Sequence, residues 1–526
     1  MNLKRFRNLR FILGLVFVLS LGLSAFAARP GGGSSFRGGS SSSTSGSRSG
    51  SSSSSSSGFR SGSSTSSSSG GVYVGSGDSS PAGVIIGFFF VIVIVVVVAI
   101  IQKAARGSQR GWSAGAPNFN YPVSNFGAPP PPPQPSVSAR KMLEGVQRFD
   151  ENFSLVVFDD FLTGLYTEVI KAQGEGRLQQ MTAYLGPNAF GVMQQRPLQG
   201  ISTILVGSCT IDQVHGVNDN SPEVHVHVLL ETNMSRRDPQ TGYEQAIYTN
   251  ERWVLARGKN AKSRTPDKAR VFACPNCTAP LDKIFGGKCT HCGQNVASGA
   301  FDWIVREVTV LNTENRGPML TGTTEEQGTD FPTIVDPGAQ QAMAALNARD
   351  PQFEWNNFLG RVTLTFSTFQ KAWSERSIEG MRPFMSDAIF ATQSYWVDEY
   401  KRQRLRNITE NARILKVELA RASTDAFFDA ITVRLYASSF DFTVSDDTNQ
   451  IVAGNRQRER MYSEYWTFIR GRNAKGPAKT EPNCPRCGAP LNVNMGGSCQ
   501  YCQAKVTSGD FDWVLSRIEQ DEVYAG

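Results

Sequence analysis

The spacing of apolar positions changes from helical to strand-like along the chain, and the change occurs in two separate stretches. In each stretch, apolar residues first recur three or four positions apart, which predicts a helix with one buried face. These residues are Phe158, Phe161, Leu162, Leu165, Tyr166 and Val169 in the first stretch, and Phe358, Val362, Phe366, Phe369 and Trp373 in the second. A shorter helix is predicted next, where "RLQQMTAYLGPNAF" aligns with "SIEGMRPFMSDAIF".

Strand-like alternation follows these helices in both stretches. The first contains "TILVGSCTI", "EVHVHVLLE" and "AIYTNERWVLARG", and the second contains "ARILKVELARAS", "FFDAITVRLYASS" and "MYSEYWTFIRG". Each stretch closes with one more strand, "GAFDWIVREVTV" or "GDFDWVLSRIEQ". Helices followed by an antiparallel sheet predict the α+β class. We expect two tandem domains, at residues 141–312 and 349–526, joined by a linker at 313–348.

A four-cysteine element lies before the last strand of each stretch. "CPNCTAPLDKIFGGKCTHC" and "CPRCGAPLNVNMGGSCQYC" share the spacing C-x2-C-x11-C-x2-C, which predicts a four-cysteine zinc ribbon in preference to disulfides. Four thiolates fill a tetrahedral site, so both zinc ions are expected to be structural. The ribbons span 271–297 and 481–507. Their expected ligands are Cys274, Cys277, Cys289 and Cys292 in the first, and Cys484, Cys487, Cys499 and Cys502 in the second.

Two residues near these ligands need separate interpretation. His291 lies between Cys289 and Cys292 and could compete as a ligand, but Tyr501 occupies the matching position, which favours a surface residue. Cys209, the remaining cysteine, lies in an apolar stretch and is expected to be a small buried residue. The glycine pairs at 286–287 and 496–497 precede the second cysteine pair, where a tight turn favours positive φ.

The N-terminal region has the pattern of an exported and membrane-anchored segment. A basic start, an apolar run and "AFA" predict a signal peptide over 1–27, with an uncleaved anchor as the alternative. A Ser/Gly-rich tract at 28–80 is expected to be disordered, and 82–102 is expected to form one transmembrane helix. Basic residues after this span place the following domains in the cytoplasm under the positive-inside rule. A Pro-rich linker is predicted at 103–140.

The net charge of +7 carries little functional information. Residues 1–77 hold eight Lys or Arg and no Asp or Glu, so the rest of the chain is close to neutral at about −1. Two basic loops nevertheless lead into the ribbons, with Arg257, Lys259, Lys262, Arg264, Lys268 and Arg270 in one, and Arg470, Arg472, Lys475 and Lys479 in the other. Solvated loops are the favoured interpretation, ahead of anionic lipid headgroups. Nucleic acid is disfavoured because aromatic residues are not interleaved with the cations.

Neither of two other polar clusters gives a strong catalytic signal. His225 and His227 share one strand face and could bind a metal with His215, but the second stretch has no matching histidines. Asp159 and Asp160 are expected in a solvated first turn of a helix. We find no G-x-x-x-x-G-K-[ST], H-E-x-x-H or G-x-S-x-G motif. The sequence therefore favours a protein that is not an enzyme.

The segment "FDDFLTGLYTEVIKAQGEGRLQQM" resembles the start of the translocase-of-inner-membrane (Tim) 44-like domain. "CPRCGAP…GGSCQYCQAKVTSGDFDWVLSRI" is similar to the zinc-ribbon ending of bacterial membrane proteins that carry this domain. The resemblance implies a cone-shaped fold like that of nuclear transport factor 2, with a concave sheet.

By function, the same resemblance implies a non-enzymatic scaffold or adaptor at the cell membrane, with a protein partner in protein transport or membrane-protein assembly. The mitochondrial protein's N-terminal arm has no counterpart here, and the apolar N-terminus disfavours a mitochondrial location. A small-ligand or lipid-binding protein, or an unrecognised enzyme that uses the concave pocket, is the alternative.

Overall fold

The computed structural model describes residues 138–526, except 197, 239, 318–319, 322–328 and 522. The predicted signal peptide, Ser/Gly-rich tract and membrane span lie outside the described residues. Within the described part of the chain, none of the helices has the length and apolar character needed to cross a bilayer.

The first repeat, residues 138–314, contains helices followed by a four-stranded antiparallel sheet. The strands are in the order β1-β2-β3-β6, and β4 and β5 form a small separate hairpin. The helices are α1 (Ala139–Glu144), α2 (Leu155–Gly174) and α3 (Pro187–Gln194), and the strands are β1 (Ile201–His215), β2 (Glu223–Arg237), β3 (Glu244–Gly258), β4 (Ile284–Phe285), β5 (Lys288–Cys289) and β6 (Ile304–Glu314).

The second repeat, residues 339–526, has the same order of elements. Its main sheet runs β11-β10-β8-β7, and β9 pairs with β8. The helices are α4 (Ala339–Arg349), α5 (Trp355–Ser374), α6 (Ile378–Met381) and α7 (Asp387–Arg402), and the strands are β7 (Leu405–Thr424), β8 (Phe428–Ser445), β9 (Ile451–Gly454), β10 (Arg460–Gly471) and β11 (Val514–Gln520). The mixed helix and sheet composition confirms the α+β class. Helix α4 occupies the end of the segment predicted as a linker.

Each long helix forms because its apolar stripe faces a sheet. Ser154 caps α2 by accepting a hydrogen bond from the Val157 N–H at 3.3 Å. Every residue of the predicted α2 stripe is buried, from Phe158 to Val169, and the predicted α5 stripe from Phe358 to Trp373 is buried as well. These stripes belong to two large hydrophobic clusters, one for each repeat. The helical periodicity therefore predicted the core-facing side of both helices.

An ion pair is buried at the same place in both repeats. Arg257 contacts Asp150 at 2.9 Å with both side chains fully buried, and Arg470 contacts Asp350 at 2.9 Å with both 2% exposed. Each guanidinium also lies over a tryptophan, with centroid distances of 5.1 Å to Trp303 and 4.8 Å to Trp513. The pair joins the segment before the long helix to the strand that leads into the cysteine element.

The two repeats also pack against each other. Val157 of α2 and Ala269 belong to a cluster with Phe428, Ile469 and Val514 of the second sheet. Polar contacts add to this packing. Arg421 of β7 pairs with Glu144 of α1, and Lys141 reaches Asp336, in the segment that connects the repeats, at 2.6 Å. The described residues therefore include an interface that the pattern within either repeat could not predict.

Candidate metal centres

Both cysteine elements fold into two tight turns, each holding one C-x2-C pair. The backbone of the first cysteine in each pair forms two hydrogen bonds across the turn. Its N–H donates to the carbonyl five positions further on, and its carbonyl accepts from the N–H four positions further on. For example, the Cys484 N–H donates to the Ala489 carbonyl at 2.7 Å, and the Gly488 N–H donates to the Cys484 carbonyl at 2.9 Å. The residue after the second cysteine has positive φ in all four turns, namely Thr278, Gly293, Gly488 and Gln503. This conformation turns both thiols of a pair to the same side.

The four sulfurs of each element lie close enough to share one ion. In the first, Cys274 Sγ lies 3.9 Å from Cys292 Sγ, and Cys277 Sγ lies 3.8 Å from Cys289 Sγ. The matching distances in the second are 3.9 and 4.0 Å. All eight cysteines are free. A tetrahedral site with Zn–S bonds of about 2.3 Å has sulfurs about 3.8 Å apart, so the donor set fits zinc.

Burial differs between the two members of each cysteine pair. The first member is buried in every case, at Cys274, Cys289, Cys484 and Cys499, whereas the second member is half-buried or exposed. The buried sulfurs face the protein and the outer sulfurs close the site from solvent. His291 Nδ1 lies 3.6 Å from Cys277 Sγ, and its side chain is exposed, as expected from the sequence. In the second element, Tyr501 is 59% exposed at the matching position.

Hydrogen bonds connect each cysteine element to the short helical segment that follows the long helix of its own repeat. In the first repeat, the Gly287 N–H donates to Thr182 Oγ1 at 3.1 Å, and Tyr184 donates to the Ala273 carbonyl at 2.6 Å. In the second, Arg382 Nε donates to the Met495 carbonyl at 2.9 Å. Gly287 and Gly497 have φ of +78° and +81° at these contacts. Of the two predicted glycine pairs, only Gly496 departs from positive φ.

A comparison with known protein families finds a match within the second repeat. Residues 339–480 match the family model described as the Tim44-like domain. This part of the chain is similar to the Tim44-like domain. The predicted resemblance is therefore confirmed there, whereas its zinc-ribbon bacterial branch stays a prediction. No curated protein matches the chain.

The matched residues of the Tim44-like domain begin at α4 and end four residues before Cys484. They include the long helix α5, strands β7 to β10 and the loop that enters the second cysteine element. The cysteine element and the closing strand β11 lie beyond the match. Strand β11 nevertheless pairs with β10 of the Tim44-like domain along its length. The second four-cysteine centre is thus inserted between paired strands, as the sequence predicted.

Several basic side chains of the loops before the cysteine elements are not free surface charges. Arg257 and Arg470 form the buried pairs described above. Arg264 donates to Asp302 at 2.6 Å and lies over the Phe272 ring at 5.4 Å. Arg270 donates to Thr163 Oγ1 at 3.1 Å. The expectation of solvated loops is therefore wrong for Arg257, Arg264 and Arg470, because aromatic rings and carboxylates hold them in place, whereas the Arg270 side chain is 40% exposed.

The predicted histidine cluster stands at the rim of the first sheet. The rings of His215 and His227 are 5.5 Å apart, edge to face, and His225 Nε2 lies 3.5 Å from a Glu223 oxygen. Burial and the neighbouring His215 lower the pKa of His227. Among the described residues, the groups that bring three or more ligand atoms together are the two four-cysteine sets. The three histidines therefore do not form such a group in the described part of the chain.

Asp159 and Asp160 are not in a solvated turn, contrary to expectation. Both line a cleft of about 530 Å³ between the two repeats. Burial opposes the charge of Asp159, but Arg140 and Arg517 overcome this effect and lower its pKa. Burial raises the pKa of Asp160 to about 6. Cys209 also lines this cleft and is half-buried, and burial raises its thiol pKa to about 12.

Proposed function

We propose that this protein is a membrane-anchored, non-enzymatic adaptor or scaffold that acts in protein transport or membrane-protein assembly. The observation that carries the proposal is the Tim44-like domain at residues 339–480. The first repeat supports it, because the same element order, buried ion pair and four-cysteine element recur there. We propose that residues 141–312 form a second domain of this kind, and that both have the cone-shaped fold related to nuclear transport factor 2.

Each four-cysteine set is proposed to hold one structural zinc ion. The support is the donor chemistry: four thiolates with spacings near a tetrahedral edge leave no coordination position for a substrate or a reactive water. Zinc would supply cross-linking of the long connection between β3 and β6, or between β10 and β11. The cysteines hold the ion, and Thr182, Tyr184 and Arg382 hold the loop against its own repeat. Metal analysis of the purified chain should give two zinc ions per molecule.

The membrane anchor in this proposal is the apolar segment within 82–102, and the repeats lie in the cytoplasm. The support is its length, its uniform apolarity and the basic residues after it. A reporter fused after residue 526 tests the orientation, because alkaline phosphatase is active only when exported. The proposal expects an inactive phosphatase fusion and a fluorescent cytoplasmic fusion at the membrane.

In-cell crosslinking of the full-length chain tests the adaptor role. The chain is then purified in mild detergent, and the proteins attached to it are identified by mass spectrometry. A Cys484→Ser/Cys487→Ser variant serves as the matched chain without the second ribbon. Near-stoichiometric recovery of a translocation or insertion component, lost in this variant, supports the adaptor. Recovery of lipid alone from both chains contradicts it.

A further inference from the structure

The cleft between the repeats has a shape and chemistry that neither metal centre requires. It has a volume of about 530 Å³, within the usual range for binding sites. Its walls come from both repeats: α2 and β1 from the first, and α7 and β11 from the second. The edges of both hydrophobic clusters reach the cleft, at Leu155 and Ile211 in the first cluster and at Ile389 and Ile518 in the second.

Two sheet edges border this cleft. Among the described strands, β1 is the end strand of the first sheet, and β11 is the end strand of the second. The cleft is lined by the continuous runs Ile204–Asp212 of β1 and Ser516–Gln520 of β11. Side chains alternate between the two faces of a strand, so a continuous run means that the strand presents its edge. An edge offers backbone N–H and C=O groups that can pair with an added strand.

One side chain already bridges the two edges. Arg517 of β11 donates from Nη2 to the carbonyl oxygen of Cys209 in β1 at 3.3 Å. Its Nη1 lies 3.5 Å from Asp159 Oδ2. The outward carbonyl of β1 is therefore accessible as an acceptor, and a guanidinium supplies the donor that a neighbouring strand would supply. The contact to the Cys209 carbonyl is long for a hydrogen bond, so an incoming backbone N–H can replace it.

The charges of the cleft favour a cationic occupant. Carboxylates outnumber guanidinium groups along its walls. Asp159 is well paired, since Arg140 donates to both of its oxygens at 3.0 and 2.6 Å. The cationic neighbour of Asp160, Arg270, is 3.5 Å away, and burial raises the pKa of this carboxyl to about 6. The charged form of Asp160 would thus be stabilised by a bound ammonium or guanidinium group.

We propose that the cleft binds an extended polypeptide segment, which pairs with the edge of β1 and places a Lys or Arg side chain beside Asp160. Backbone pairing supplies affinity in this mode, and the side-chain positions supply selectivity. The surplus of carboxylates disfavours nucleic acid and other anionic ligands. The inference rests on the proposed adaptor function and names the chemical class of the partner.

Fluorescence anisotropy with three labelled peptides tests the inference on the full-length chain in mild detergent. The first is an acetylated octapeptide of alternating Lys and Thr, and the second has Glu in place of each Lys. The third keeps the Lys residues but carries N-methyl groups on alternate backbone amides, so one edge cannot donate hydrogen bonds. We expect binding of the first peptide, with both others weaker by about tenfold or more.

Asp160→Asn is the informative variant because it removes the charge without removing stability. A carboxyl whose pKa is raised by burial is more stable as a neutral group, so this variant should fold at least as well as the parent. It should nevertheless bind the Lys peptide about five- to tenfold more weakly. Asp398→Asn is the control, since Asp398 is an exposed residue outside the cleft, on helix α7, whose first half contributes to the cleft wall. It should leave the affinity unchanged.

Equal affinity for the Lys and Glu peptides, or full affinity in Asp160→Asn, would overturn the assignment. The same holds if no peptide binds, or if native mass spectrometry finds a small molecule that the Lys peptide cannot displace. Crosslinking distinguishes a failure of the peptide-binding inference from a failure of the adaptor proposal. A protein partner still recovered by the Asp160→Asn chain would mean that the adaptor acts through another surface.

Discussion

The buried pair of Arg470 and Asp350 should contribute strongly to the stability of the second repeat. Asp350 accepts from Arg470 at 2.9 Å and from the Gly476 N–H at 3.1 Å, and Arg470 donates to the Gly476 carbonyl at 3.1 Å. Both side chains are 2% exposed. An Asp350→Asn substitution keeps the shape and the acceptor for Gly476, but leaves the guanidinium without its main counter-charge. Breaking one side of a buried pair costs about 3–5 kcal/mol.

The structure places this substitution at the lower end of that range. Asp429 lies 4.0 Å from Arg470 and retains part of the compensation. We therefore expect a loss of about 3 kcal/mol, which for roughly 150–250 cooperative residues lowers the midpoint of thermal unfolding by about 6–12 °C. Tryptophan fluorescence is a suitable probe because Trp513 lies 4.8 Å from the guanidinium.

Two further variants make this test specific. Asp446→Asn removes a carboxylate from a partly exposed pair with Arg376, where the side chains are 29% and 21% exposed, and should cost less than about 1 kcal/mol. An Asp350→Leu/Arg470→Met double variant replaces both charges with apolar groups and should recover at least half of the loss. The reasoning is refuted if Asp350→Asn lowers the midpoint no more than Asp446→Asn does.

Four other outcomes follow from contacts elsewhere in the structure. Because the folded-state pKa of Asp160 is raised to about 6, the parent loses stability as pH rises from about 4 to 6, so Asp160→Asn should be more stable by about 1 kcal/mol at pH 7.5 and equal at pH 4 in urea unfolding. The pKa of Asp159 is lowered, so Asp159→Asn should be less stable than the parent at pH 7.5. A gain in stability in both variants would contradict the assignment. Gly497→Ala adds a methyl 1.9 Å from Thr507 Oγ1 at a φ of +81°, and should cost about 2 kcal/mol and speed zinc release, whereas Gly496→Ala should change neither. Chelation of the proposed zinc ions should lower the unfolding midpoint of both repeats reversibly, and a midpoint independent of chelator would exclude a structural metal.

Local patterns predicted most of what lies within each repeat. The helical stripe from Phe158 to Val169 and the strand alternation from Val224 to Val228 both identify buried faces correctly. The cysteine spacing correctly predicted that four sulfurs lie together in both elements. The prediction of positive φ for the second glycine pair was only half right, since Gly497 has positive φ and Gly496 does not.

Contacts distant in sequence account for what the patterns missed. Arg257 and Arg470 look like loop cations, but carboxylates more than a hundred positions away neutralise them. Asp159 and Asp160 look solvated on the helical wheel because the second repeat, which covers them, leaves no periodic mark in the first. The sequence did carry a signal for the buried pairs. Both repeats have an Asp before the long helix and an Arg before the cysteine element, which a position-by-position comparison of the repeats would have found.

Protein transport itself is the most direct test of the central claim. The protein is depleted in its source cell, and pulse-chase labelling follows newly made envelope proteins into the membrane and beyond it. The account predicts that precursors accumulate, that the parent chain restores their transport, and that the Cys484→Ser/Cys487→Ser chain does not. Normal transport kinetics in depleted cells, with no change in the set of inserted membrane proteins, would contradict an adaptor in protein transport or membrane-protein assembly.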